Sequence, residues 1–131
     1  MEGPAAEGLG LMRLWLVLAA LGGFASVAAG AFAAHGISDA RSQELLRTGS
    51  IYGFVHVLAV FAAAALVQLG ATRAGLAAPF FLAGVVVFSG SLYALAFGAP
   101  RWLGAITPIG GLSFLAGWAV LAWAAWRLAP R

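Results

Sequence analysis

The chain contains no cysteine and no lysine, and only four of its 131 residues are acidic. Without cysteine there can be no disulfide, no thiolate nucleophile and no cysteine-ligated metal or iron–sulfur centre. Without lysine, all positive charge rests on seven arginines, and these stand singly rather than in the cluster that a nucleic-acid surface needs. Nucleic acid is therefore not an expected partner. Charge of either sign is scarce: 8% of residues are charged and 63% are hydrophobic, against roughly 25% and 45–50% in soluble domains. A soluble domain of this size buries only part of its surface and needs polar side chains to cover the rest. This chain cannot supply them, so the natural solvent for its apolar surplus is a lipid bilayer.

What the chain has instead is a series of long uncharged runs. Leu14 to Ala34 carries no charge, and at 1.5 Å per residue its length of about 21 residues crosses a hydrocarbon core of about 30 Å. Comparable runs follow at 51–69, 75–97 and 107–126. These predict an all-α integral membrane protein: a four-helix transmembrane bundle forming one domain over 12–127, after a flexible tail at 1–11. Gly70 and Arg73 end the second span, and Pro79 is tolerable in the first turn of the third. Thr107-Pro108 reads as N-cap and first residue of the fourth. Between the first two spans, His35 to Ser50 is the most polar internal stretch, with Asp39, Arg41, Glu44 and Arg47. It is expected to form a short interfacial helix capped by Ser38, with Asp39 in its first turn. Trp15, Trp123 and Trp126 fall near one membrane face and Trp102 near the other, where aromatic belts lie. An even number of spans puts both termini on one side. Arg13, Arg73, Arg127 and Arg131 share that side, against Arg41, Arg47 and Arg101 opposite, which points to cytoplasmic termini by the positive-inside rule.

Small residues recur at every fourth position of the first span, at Gly22, Ser26, Gly30 and Ala34. In the fourth span, Gly110, Ser113 and Gly117 form a second face of this kind. Such stripes allow helices to approach closely in lipid. Polar side chains crowd the half of the bundle away from the termini: His35, Thr48, Tyr52, His56, Ser89, Ser91, Tyr93, Thr107 and Ser113. Thr48, Tyr52 and His56 are spaced by four, as are Ser89 and Tyr93, so each set lies on one side of its helix. Polar groups in hydrocarbon turn inward and bond one another, which predicts a polar cluster built around His56 and Tyr93. Two readings of that cluster stay open. It is packing glue, at about 0.6 kcal/mol per interhelical hydrogen bond, or it is a ligand, ion or partner site, the default for an ionisable group inside a membrane.

Four blocks carry a family resemblance. They are Gly30-Ala31-Phe32-Ala33-Ala34-His35-Gly36; Thr48-Gly49 followed by Tyr52 and His56; Phe88-Ser89-Gly90-Ser91-Leu92-Tyr93; and Ile106-Thr107-Pro108-Ile109-Gly110-Gly111 with Gly117-Trp118. In this order, over about residues 12–127, they resemble the family of unknown function DUF423, which includes relatives of transmembrane protein 256. Ala33 stands where the family usually has Gly, and Gly53 where many relatives carry Gln, so any polar role of that Gln is absent here. The resemblance implies a small multi-pass protein, of the inner membrane in bacterial members, and no established activity.

The leading functional expectation is a non-enzymatic structural or accessory membrane component, in contact with lipids and packing against other membrane proteins or copies of itself, with no cofactor. The alternative is a small transporter or channel. Glu2, Glu7, Asp39 and Glu44 all lie outside the spans, so a proton relay would fall to His56. A third class is haem or metal binding through His35 and His56. Enzymatic activity is not expected, because no nucleophile–base–acid set, phosphate-cradling loop or carboxylate pair is visible.

Overall fold

Pro4 opens the first helix, α1, which runs unbroken over Pro4–His35. The structure, a computed structural model, describes residues 3–129; the expectations placed on Glu2 and Arg131 fall outside them. The tail expected over 1–11 is, from Pro4 onward, the opening of α1. Pro is favoured at a helix start, where its missing N–H costs nothing. Ala5, Ala6 and Leu9 are strong helix formers, and Glu7 suits the positive end of the helix dipole.

The polar stretch after α1 is helical, as expected, but it is not a separate helix. It forms the first turns of α2, Ala40–Gln68, because no residue between Arg41 and Ile51 interrupts the backbone ladder. The cap is Asp39 rather than Ser38: its carboxylate accepts the Ser42 backbone N–H at 2.8 Å. That bond, with a smaller contribution from the Ser42 hydroxyl, holds the Asp39 carboxyl below its ordinary pKa. A depressed folded pKa means that the cap stabilises the fold above the ordinary carboxylate range, at about pH 4. The contribution is lost as pH falls through the lower folded value. Asp39→Ala is expected to lower the unfolding temperature in detergent at neutral pH, whereas Asp39→Asn keeps the cap and removes this acid-side dependence. A pH series of thermal unfolding curves that is identical for wild type and Asp39→Asn would exclude the role.

Two glycines with left-handed backbone turn the chain around. Gly70 (φ 104°) ends α2 and Gly98 (φ 91°) ends the third span. In each, the following residue's N–H reaches back to a carbonyl in the last helical turn, Ala71 to Leu66 and Ala99 to Ala94, which is the Schellman arrangement.

The third span, α3, covers Thr72–Ala96 and is not uniform. It starts as a 3₁₀ turn, Thr72–Leu76, continues as α-helix over Ala77–Gly84, widens to a π turn over Val85–Ser89 and returns to α-helix over Gly90–Ala96. The tight first turn follows from Pro79, which has no N–H to give to Gly75 and disfavours α-helix just before it. The fourth span, α4, covers Arg101–Trp126, with a 3₁₀ turn, Arg101–Ala105, ahead of Thr107–Trp126. Thr107 is not the cap that its position before Pro108 indicated: Ile106 takes the cap position, and the Thr107 hydroxyl turns to Ser91 of α3 instead.

All four helices are long and apolar enough to cross a membrane. Successive helices are antiparallel and in close register. On α1, Gly22 faces Val57, Gly30 faces Ser50, and Ser26 sits opposite Gly53 of α2. On α3, Phe81 faces Gly117 and Phe88 faces Gly110 of α4. The buried face of α1 reads Ala19, Ser26 and Ala33, with Gly22 and Gly30 between them. Ala34, expected on this stripe, is exposed: steps of four drift from the 3.6-residue helical period, and a step of three to Ala33 restores the face. An apolar core around Val57, Val60, Phe81 and Phe114 fills the terminal half, and a smaller one of Ala33, Leu46 and Ala96 lies near the opposite end. α3 is the central helix, with 44% of its most apolar window buried, and α1 is peripheral, with 17%.

Candidate functional site

The polar side chains gather between the two apolar cores, but not as one cluster. The first group lies where α1, α2 and α3 meet. Ser50 donates to the Ser26 carbonyl at 2.6 Å, and Ser89, fully buried, donates to the Gly49 carbonyl at 2.7 Å. Glycine is required here by space: a Cβ on Gly53 would come within 2.6 Å of the Ser26 hydroxyl and 3.0 Å of the Ser89 hydroxyl, and one on Gly49 within 2.6 Å of the Tyr93 ring. Tyr93 reaches into this group, with Ser26 and Ser89 as its nearest polar side chains. Its hydroxyl is nevertheless the one buried side-chain polar atom without a hydrogen bond among the described residues.

His56 forms a second, separate centre. It is buried and stacked on Phe114 at 3.6 Å between centroids, with Phe81 and Trp118 at 5.8 and 5.9 Å. Its Nδ1 lies 2.6 Å from the Tyr52 carbonyl, which can only accept, so Nδ1 carries the proton. Nε2 then accepts the Trp118 indole N–H at 3.0 Å. The neutral imidazole has both nitrogens satisfied. No hydrogen bond joins it to Tyr93, Ser89 or Ser91 among the described residues, so the single cluster expected around His56 and Tyr93 is divided.

The third group ties α3 to α4. Ser91 donates to the Phe88 carbonyl at 2.9 Å and shares a 2.6 Å bond with Thr107. Ser113 donates to the Phe80 carbonyl at 2.7 Å. Gly84, Gly110 and Gly117 let the two helices touch, each lying against an aromatic side chain or backbone of the facing helix. Around the π turn, Ser91 bonds to α4, Ser89 bonds to α2, and Phe88 packs on both Gly110 and Tyr52.

Of the remaining candidates, Tyr52 borders the His56 centre, its ring stacked 6.2 Å from the imidazole, and His35 and Thr48 lie outside these groups. His35 closes α1 and is exposed. Thr48 makes a long 3.5 Å bond to Glu44. Tyr52 is 47% exposed, and its ring packs on Phe88 at 4.8 Å. The spacing of four that linked Thr48, Tyr52 and His56 drifts about 40° per step, enough to carry Tyr52 out of the interior. The packing positions Gly22, Ser26, Gly30, Gly110 and Gly117 all lie at helix contacts. Phe81, Phe114 and Trp118 were missed as site residues; the signal was there in the need of a buried indole N–H for an acceptor. Among the described residues, no three His, Asp or Glu side chains gather as a metal site would require.

Four antiparallel apolar helices, with polar groups turned toward one another, define a multi-pass helical membrane protein. A family model described as "Protein of unknown function (DUF423)" matches residues 29–111, and the chain belongs to that family. It is 45% identical over 116 residues to a UPF0382 membrane protein of Haemophilus influenzae, covering 86% of this chain and 94% of the relative. It is 42% identical over 120 residues to the UPF0382 inner membrane protein YgdD of Escherichia coli, covering 88% and 92%. A UPF0382 membrane protein of Staphylococcus epidermidis is 37% identical over 113 residues, covering 84% and 93%. Gly117-Trp118, part of the resemblance read from the sequence, lies outside the residues that the family model matches. No solved structure matches the chain at a significant level.

Proposed function

We propose that this protein is a non-enzymatic structural or accessory component of the inner membrane, which associates through its helices with other membrane proteins or with copies of itself. One observation carries the reading: among the described residues, every buried side-chain polar atom except the Tyr93 hydroxyl is bonded within the bundle. Ser50, Ser89, Ser91, Thr107, Ser113, His56 and Trp118 all bond within the bundle. Ser89 and Ser91 bond a carbonyl and a threonine rather than His56. The inner membrane is the location named for the Escherichia coli relative. Cytoplasmic termini are supported by arginine placement: Arg13, Arg73 and Arg127 balance Arg41, Arg47 and Arg101, and Arg131 adds a fourth on the terminal side.

Peripheral α1 is the helix best placed to meet a partner, and Phe24, 78% exposed, marks its outer face. Because the chain has no cysteine, Phe24→Cys introduces a single thiol. Oxidative crosslinking in native membranes is expected to capture Phe24→Cys in a defined complex and to leave Ala19→Cys, on the buried face, uncaptured. Native mass spectrometry of gently solubilised protein then identifies the partner or the oligomer. A lone monomer in both measurements, together with solute uptake by proteoliposomes, would favour the transporter reading and reject this one.

A further inference from the structure

On the terminal side of the bundle, the turn between α2 and α3 and the end of α4 enclose a polar recess of about 230 Å³, lined by Gly70, Ala71, Thr72, Arg73, Ala124 and Arg127. Its two cations are held by one aromatic ring: the Arg73 guanidinium lies 4.8 Å and that of Arg127 5.7 Å from the centre of the Trp123 ring. Among the described residues neither arginine pairs with a carboxylate; the one ion pair there joins Arg47 to Glu44, near the opposite end. Glu7, the one described acid on the terminal side, is in no such pair. Two like charges brought to one ring repel each other, so the arrangement is complete only with an anion between or beside them. Stacking on Trp123 restrains both guanidinium groups, which lowers the entropy lost on capturing a ligand. The recess lies where the second and third spans meet and the fourth ends.

We infer that Thr72, Arg73 and Arg127 form a binding site for a phosphate group, that of an anionic phospholipid in the leaflet on the terminal side. Guanidinium groups match phosphate oxygens with paired N–H donors, and the Thr72 hydroxyl lines the same recess. An anionic headgroup is favoured over a zwitterionic one because choline or ethanolamine would bring a further cation to a site that already holds two.

The test uses the full chain in lipid nanodiscs that contain equal parts of phosphatidylcholine and phosphatidylglycerol, with native mass spectrometry reading the retained lipid. Phosphatidylglycerol retention should exceed that of phosphatidylcholine, and each Arg→Gln change should lower the preference about fivefold, the usual worth of one basic residue at an anionic surface. The double variant Arg73→Gln/Arg127→Gln should abolish it. Arg41→Gln/Arg47→Gln changes the total charge equally on the other side of the bundle and should leave the preference intact. Arg73→Lys/Arg127→Lys, with helix content checked by circular dichroism, separates loss of the site from loss of the fold by keeping part of the preference. Millimolar inorganic phosphate is expected not to displace the lipid; displacement would assign the site to the free anion and overturn the lipid assignment. Equal retention of the two lipids by wild type, or an equal loss in the Arg41/Arg47 control, would overturn the site itself.

Discussion

Gly110→Ala is expected to destabilise the protein by about 3 kcal/mol, at the upper end of what overpacking costs. Gly90→Ala, the same change in the neighbouring helix, should be neutral or stabilising by up to about 1 kcal/mol. Both glycines lie in helices, and in both alanine gains helix propensity. The difference is what a methyl group meets. At Gly90 there is nothing within 4 Å. At Gly110 the obstacle is the backbone N and Cα of Phe88, with its Cβ, and backbone cannot rotate away as a side-chain tip can. α4 would have to move off α3, loosening Gly84 from Phe114 and Gly117 from Phe81 and pulling Thr107 from Ser91. Gly53→Ala should fall between the two, because it meets the Ser26 and Ser89 hydroxyls, which can turn aside at the expense of the Ser89–Gly49 bond. Unfolding of the three variants in one detergent decides the matter. Equal stabilities for Gly110→Ala and Gly90→Ala would mean that α3 and α4 do not meet here.

The same glycines show how far the sequence could be read. Four spans were legible because uncharged length is a one-dimensional property and bilayer thickness sets its scale. Helix ends were less so. Asp39 outcompeted Ser38 as a cap, and Thr107 gave up capping for an interhelical bond with Ser91, choices made by tertiary partners. The π turn at Val85–Ser89 leaves no mark in a run of valines. The polar residue types of the site were legible, and their grouping was not. Spacing by four placed Tyr52 beside His56, where the two rings do stack at 6.2 Å, but the buried row of α2 alternates steps of three and four through Leu46, Gly49, Gly53, His56, Val60 and Ala63, which leaves Tyr52 at the edge. The ring nest of His56 draws on α2, α3 and α4 at once, and no single-helix pattern could have assembled it.

His56→Ala is expected to cost about 3 kcal/mol, and to do so without changing any solute flux across reconstituted vesicles. The loss has two sources. Helices in lipid are held mainly by van der Waals packing, and removing a ring stacked at 3.6 Å on Phe114 leaves a cavity of the kind that makes large-to-small aromatic changes cost 3–5 kcal/mol. The Trp118 indole N–H also loses its acceptor, which adds on the order of 0.6 kcal/mol if it behaves like other interhelical bonds in membranes. His56→Phe separates the two, because it restores the ring and not the acceptor. It should recover most of the stability, and Trp118→Phe should then cost less in the His56→Phe background than in wild type. Such a cycle measures the His56–Trp118 bond directly. A proton relay makes the opposite demands: His56 would need a nitrogen free to exchange protons, yet Nδ1 is committed to the Tyr52 carbonyl and Nε2 to Trp118. If His56→Phe folds as stably as wild type but abolishes a measurable proton-coupled flux, the histidine is a relay after all and the structural reading of its ring nest is wrong. If stability falls with ring volume and with the Trp118 bond while vesicles stay tight, His56 is a fastener between α2 and α4.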